Sequence, residues 1–142
     1  NWSLFSVFKR SSTAHYGFTL SGEGQGPLVT QNNDNNLYVQ RCITGTDKYA
    51  SSADATATFH IQTAVVLTSG TTIAAWKNGS AYTMSGESNF TATNTNFKTI
   101  GYYSSSSYTF TGNMSEVILY MSDKTSSRTG IESNINTYYT IY

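Results

Sequence analysis

The last thirty-one residues, Gly112–Tyr142, constrain the chain most. GNMSEVILYMSDKTSSRTGIESNINTYYTIY reads as a strand, a polar turn and one short amphipathic helix. Side chains alternate in direction along a strand, so within Met114–Met121 one face carries Met114, Glu116, Ile118 and Tyr120. The other carries Ser115, Val117, Leu119 and Met121. Val117, Leu119 and Met121 suit a packed core, while Ile118 and Tyr120 make the second face apolar enough to need partial cover. Beyond the polar turn Ser122–Arg128, Thr129 and Glu132 have the spacing of a capping box. Ile131, Ile135, Tyr138 and Tyr139 then form one helical stripe. So short a helix does not hold alone in water. It must dock, and the outer face of the last strand is the nearest surface. Ile141 and Tyr142 are placed to begin a final strand.

The rest of the chain supplies strands for that unit. Leu4–Phe8 alternates, with Leu4, Ser6 and Phe8 opposite Phe5 and Val7, and Tyr16–Leu20 repeats the pattern across a polar hairpin loop, Lys9–Ala14. Gly22–Pro27 is a turn. Val29 sits in a short strand, Gln31–Asn36 is an amide-rich loop, Leu37–Ile43 is a strand and Thr44–Ala55 a long polar loop. Thr56–Thr68 holds two apolar runs. Thr71–Lys77 and Ala81–Met84 flank Asn78-Gly79, the strongest hairpin signal here, because both central residues of a type I′ turn need positive φ. Ser85–Asn96 is polar and irregular. Phe97–Tyr103 is a strand, Ser104–Ser107 a tip, and Tyr108–Phe110 its return. Short strands, frequent turns and one helix predict an all-β antiparallel two-sheet sandwich in a single domain, residues 1–142.

Three stretches resemble the concanavalin A-like, laminin-G-like jelly-roll superfamily. They are Gly112–Tyr142, the Ile73–Gly79 strand ending in Asn-Gly, and Leu4–Arg10. The resemblance implies a two-sheet jelly-roll sandwich with one short C-terminal α-helix. Such domains usually carry one more strand ahead of the position of Asn1, so the chain reads as a fragment lacking that strand.

Charged residues are only 11% of the chain and aromatics 14%, the reverse of a disordered composition. Eight basic and eight acidic residues leave no net charge, so nothing draws the chain to nucleic acid. No run is long and apolar enough for membrane insertion, and no signal-peptide pattern is visible. Cys42 is the only cysteine, which excludes an internal disulfide and reads as a small buried hydrophobe. Polarity comes from Ser, Thr, Asn and Gly, a composition suited to an extracellular or virion-surface β protein. Sequons stand at Asn1, Asn78, Asn89 and Asn113.

Catalysis finds no pattern. Glycoside hydrolases among the family's relatives place paired carboxylates on one strand, one as nucleophile and one as acid/base. No two of the eight acids here share a strand at the Glu-x-Asp-x-x-Glu spacing of those relatives. Glu116, the acid on the last strand, reads as structural, and His15 and His60 as ordinary surface or strand residues. Calcium is the one metal the resemblance suggests, with rim candidates Asp34 among Asn32–Asn36, and Asp47 with Asp54. These loops hold too few carboxylates for the six to eight oxygens calcium takes, and one Cys with two His makes no zinc site.

Sugar chemistry fits better. A sugar ring needs a flat aromatic face for its C–H side and amides or hydroxyls for its OH groups. Trp76, Tyr38, Tyr102, Tyr103 and Tyr108 lie on strands or tips beside Asn, Ser and Thr, and three of the tyrosines flank the Ser104–Ser107 tip. Exposed tyrosine gives large contact area at low entropy cost. The expectation is a non-catalytic, lectin-like module of a virion surface or extracellular protein, with glycans on a cell surface and neighbouring protein chains as partners and no cofactor. The alternative is a structural or assembly domain of a bacteriophage particle (head decoration, fibre or tail) acting through protein–protein contacts. A glycoside hydrolase is a distant third.

Overall fold

The computed structural model describes residues 1–11, 17–22, 27–31, 36–41, 48–53, 58–67, 72–85, 97–101 and 110–142. Its strands are β1 (Trp2–Arg10), β2 (Gly17–Gly22), β3 (Pro27–Gln31), β4 (Asn36–Arg41), β5 (Lys48–Ala53), β6 (His60–Leu67), β7 (Thr72–Lys77), β8 (Ser80–Ala81), β9 (Thr83–Ser85), β10 (Phe97–Thr99) and β11 (Gly112–Tyr120). A short 3-10 turn, Thr125–Ser127, leads into helix α1, Arg128–Tyr139. The described residues are therefore mostly β, with one short C-terminal helix.

The five-stranded sheet runs β11-β1-β6-β7-β8 and is antiparallel throughout. β1 lies inside it, paired with β11 on one side and β6 on the other. Its alternation runs as expected: Trp2, Leu4 and Phe8 join a cluster with Ala64, Val66, Ala75 and Tyr82. Phe5 and Val7 join Ile61 and Ile135 on the opposite face. With both edges paired and both faces covered, even Ser3 and Ser6 are fully buried. Buried hydroxyls need partners. Ser3 Oγ donates to the Ser122 carbonyl (2.9 Å) and accepts from the Lys124 N–H (2.9 Å), which staples the turn after β11 onto β1.

The other strands pair in the order β10-β2-β3-β4-β5-β9. Leu4–Phe8 and Tyr16–Leu20 therefore do not form the hairpin expected across Lys9–Ala14, because β1 and β2 pair in different sheets. β5 occupies the expected polar loop Thr44–Ala55. KYASSA carries no apolar alternation, and its place is set by backbone pairing to β4 and β9. Asn78 and Gly79 do turn with positive φ (51° and 77°). Beyond them the expected strand Ala81–Met84 divides: β8 pairs with β7, whereas β9 pairs with β5. Tyr82, buried between the two, donates its N–H to the Ala75 carbonyl (2.8 Å) where the chain passes from one sheet to the other. β10 ends at Thr99, short of the expected Tyr103. The Phe110 N–H bonds the Gly101 carbonyl (2.8 Å).

β11 departs from strict alternation. Val7 pairs with Glu116 but Phe8 with Met114, so Ser115 is an extra residue in the ladder. That bulge moves Met114 to the side of Val117 and Leu119, against the expected grouping with Glu116. Met121, expected in the core, lies past the strand end and is exposed.

Helix α1 docks on the face of the sheet that carries Phe5, Val7 and Ile61. Ile135 is buried among them, with Ile118, Tyr120, Ile131, Tyr139 and Ile141 around it. A fully buried aliphatic side chain contributes about 1.5–3 kcal/mol, and this packing is what a helix of such length lacks on its own. Tyr138, the third residue of the expected stripe, is instead 79% exposed.

Ile141 and Tyr142 do not form a strand. Thr140 ends the helix in the left-handed conformation (φ 52°), its N–H on the Asn136 carbonyl, and Asn136 Oδ1 accepts from the Ile141 and Tyr142 N–H groups (2.8 and 2.9 Å). A β-branched residue there carries about 1–2 kcal/mol of conformational strain. Thr140→Gly should therefore raise stability by about 0.5–1 kcal/mol after the added unfolded-state entropy of glycine. Urea titration checks it, and a loss of stability would show that the Thr140 side chain contributes more than its backbone costs.

Candidate functional site

A groove of about 790 Å³ opens between α1 and the outer face of β11. β11 contributes Glu116, Ile118 and Tyr120, the alternate residues of one face, spanning about 13 Å. The helix contributes Ser127, Ile131, Asn134 and Tyr138, one stripe about 16 Å long, with Ser126, Gly130, Ile135 and Tyr139 completing the lining. The helix runs back along the strand: it begins beside the turn that follows Tyr120 and ends where Tyr139 Oη donates to the Ser115 carbonyl (3.4 Å).

The two ends of the groove therefore differ. At one end stand Glu116, Tyr138 and Tyr139, the two tyrosine rings edge to face at 4.8 Å. Partial desolvation first, then the Glu116 carboxylate and Tyr138, raise the Tyr139 phenol above its ordinary range. The Glu116 carboxylate makes no hydrogen bond or ion pair among the described residues. At the other end are Tyr120, Ser126 and Ser127, with Lys124 Nζ 5.0 Å from the Tyr120 ring centre. Asp123, at the start of that turn, accepts from the Thr125 hydroxyl (2.6 Å) and N–H (2.8 Å), which lower its carboxyl below the usual range. Among the described residues the floor is apolar and the walls carry hydroxyls, one amide and one carboxylate.

On the other flank of α1 a polar clasp fixes the helix. Glu132 is 2% exposed. One carboxylate oxygen accepts from Thr63 Oγ1 on β6 (2.6 Å) and the other pairs with Arg128. The Arg128 guanidinium lies 4.4 Å from the centre of the Trp76 ring, and Trp76 pairs with Thr63 across the ladder. Glu132 thus does not serve the capping box expected with Thr129. The helix begins at Arg128, with Ser127 at its N-cap making no side-chain capping bond. Tyr142 folds back toward Gly79, its phenol raised first by desolvation and then by Glu132.

Of the residues expected to bind a ligand, Trp76 is on β7 with Arg128 stacked on its ring, so that face is occupied. Tyr38 stands on β4 opposite Thr30 and Ser51, and its side chain lies outside the described residues. Tyr102, Tyr103 and Tyr108 lie outside them too, as do His15, Cys42 and the loop acids Asp34, Asp47 and Asp54. His60 is a buried strand residue, edge to face with Phe8 (4.2 Å). Among the described residues no three of His, Cys, Asp and Glu stand close enough to share a metal ion. Tyr120, Tyr138 and Tyr139 were not among the expected binding residues. The signal for them was the Tyr138-Tyr139 pair, since two adjacent residues 100° apart on a helix cannot both face the core fully.

No protein-family model, curated protein or solved structure matches this chain.

Proposed function

We propose that the chain is a non-catalytic carbohydrate-binding module, of the kind borne on a virion surface or an extracellular protein, and that its two sheets close as a jelly-roll sandwich. The passage of the chain between the sheets at Tyr82 supports the sandwich. The groove between α1 and β11 carries the functional reading. It offers exposed aromatic surface at Tyr138 over an apolar floor, beside Asn134, Ser126 and Ser127. Its volume lies in the usual range for small-ligand sites. The stretch Tyr102–Tyr108 and Tyr38, whose side chains lie outside the described residues, have a composition that also suits a sugar.

The test is a glycan-array screen of the domain beside Tyr138→Ala and beside the double variant Tyr102→Ala, Tyr103→Ala, with and without calcium. Loss of at least about fivefold in Tyr138→Ala locates the site in the groove, since an aromatic contact of this kind is worth about 1 kcal/mol. Loss in the double variant alone moves the site to the tip. A folded domain that binds no glycan leaves the assembly reading in its place. That second reading has one observation in its favour: β11 is the edge of its sheet, with no strand beyond it among the described residues. Leu4–Phe8 cannot receive a partner strand, because both edges of β1 are taken.

A further inference from the structure

We infer that the groove selects a glycan carrying a protonated amine, seated at the end where Glu116, Tyr138 and Tyr139 meet. This rests on the carbohydrate-binding reading and narrows its ligand class.

The groove is charged asymmetrically. Among the described residues Glu116 is the one charged side chain lining it. The carboxylate is half-buried, on a strand face shared with Ile118 and Tyr120, and it makes no hydrogen bond or ion pair among the described residues. A carboxylate drawn partly out of water without a partner is costly, and a ligand ammonium would supply the missing donors. The neighbouring rings suit the same group. The π faces of Tyr138 and Tyr139 attract a cation electrostatically, and Tyr138 is open to solvent. Among the described residues no Lys or Arg lines the groove, so none of them would receive a carboxylated or sulfated sugar. At the far end, Lys124 already lies over the Tyr120 ring and repels a second cation. The amine therefore belongs at one end only. The ligand that fits is a short glycan whose terminal residue is an unacetylated amino sugar, with its next ring neutral and lying toward Tyr120.

The experiment is isothermal titration of the whole chain with three disaccharides at mildly acidic pH, where a sugar amine is protonated. The first is glucosaminyl-β-1,4-N-acetylglucosamine, the second N,N′-diacetylchitobiose and the third cellobiose. The amine-bearing disaccharide should bind at least about tenfold more tightly than the other two, the usual worth of a charge-assisted hydrogen bond. Glu116→Gln, which keeps the shape and removes the charge, should abolish that preference while leaving the melting temperature near wild type. Tyr138→Ala should weaken the same ligand. Equal binding of all three by wild type and Glu116→Gln would overturn the amine inference and leave the carbohydrate reading standing. Binding of none would overturn the amine inference, and the glycan array alone would then decide the carbohydrate reading.

Discussion

Arg128→Met should destabilise the fold by about 3–4 kcal/mol, read as a shift of the urea midpoint at unchanged slope. The cause is the carboxylate it strands. Glu132 is almost wholly buried, and its two partners are Thr63 and Arg128. Taking away the guanidinium leaves a buried charge held by one hydroxyl, and breaking such a pair from one side usually costs about 3–5 kcal/mol. The low end applies because the Arg128 side chain is 17% exposed and water partly screens it. The stacking of Arg128 on Trp76 is lost too, which adds about 0.5–1 kcal/mol. The double variant Arg128→Met, Glu132→Leu removes both charges and should recover most of the loss, since apolar replacement of a whole buried pair is often neutral. A single variant that costs under about 1 kcal/mol would mean that the clasp is wetter than its geometry implies.

Gly112→Ala should cost at least about 3 kcal/mol, the upper range for overpacking. A Cβ built on Gly112 falls 2.1 Å from the Lys9 carbonyl oxygen and 2.9 Å from the Arg10 Cα. Both obstacles are backbone, and Arg10 is the ladder partner of Gly112. Neither can rotate aside as a side chain would, so the end of the β1–β11 ladder must open. Hydrogen exchange should show the loss first at Arg10 and Ser11, the latter bonded to the Thr111 carbonyl. Protection there equal to wild type would sink the explanation.

The helix shows how far the sequence could be read. Its existence, docking face and central residue Ile135 were legible, because the apolar stripe has helical period. Its rotation was not. On a 3.6-residue helix Tyr138 lies about 60° to one side of Ile135 and Glu132 about 60° to the other. Hydrophobicity favours burying Tyr138, yet Glu132 is buried and Tyr138 faces water. What decides is Thr63, sixty-nine residues away in sequence, and no local pattern reveals that hydroxyl. The groove follows from the same rotation: Tyr138 stands at its mouth because Glu132 holds the opposite flank down. Met114 fails for a different reason. A one-residue bulge at Ser115 flips everything before it, and alternation has no way to show an inserted residue. Lys48–Ala53 was invisible as a strand because its residues are polar and small while its pairing is backbone alone.

The position of β1 also has a kinetic consequence. Leu4 faces Leu119, so the strand nearest the start of the chain shares its ladder with one made more than a hundred residues later. Closing so long a loop is entropically expensive before any contact rewards it, and proteins dominated by such pairings fold in roughly milliseconds to seconds. On a ribosome adding about 5–20 residues per second, the apolar edge of β1 waits several seconds for its neighbour. Throughout that interval WSLFSVF is an exposed, uncharged strand edge, the kind of segment that pairs with other chains. Yield on overexpression should therefore depend on how soon β11 arrives, more than on the stability of the finished fold.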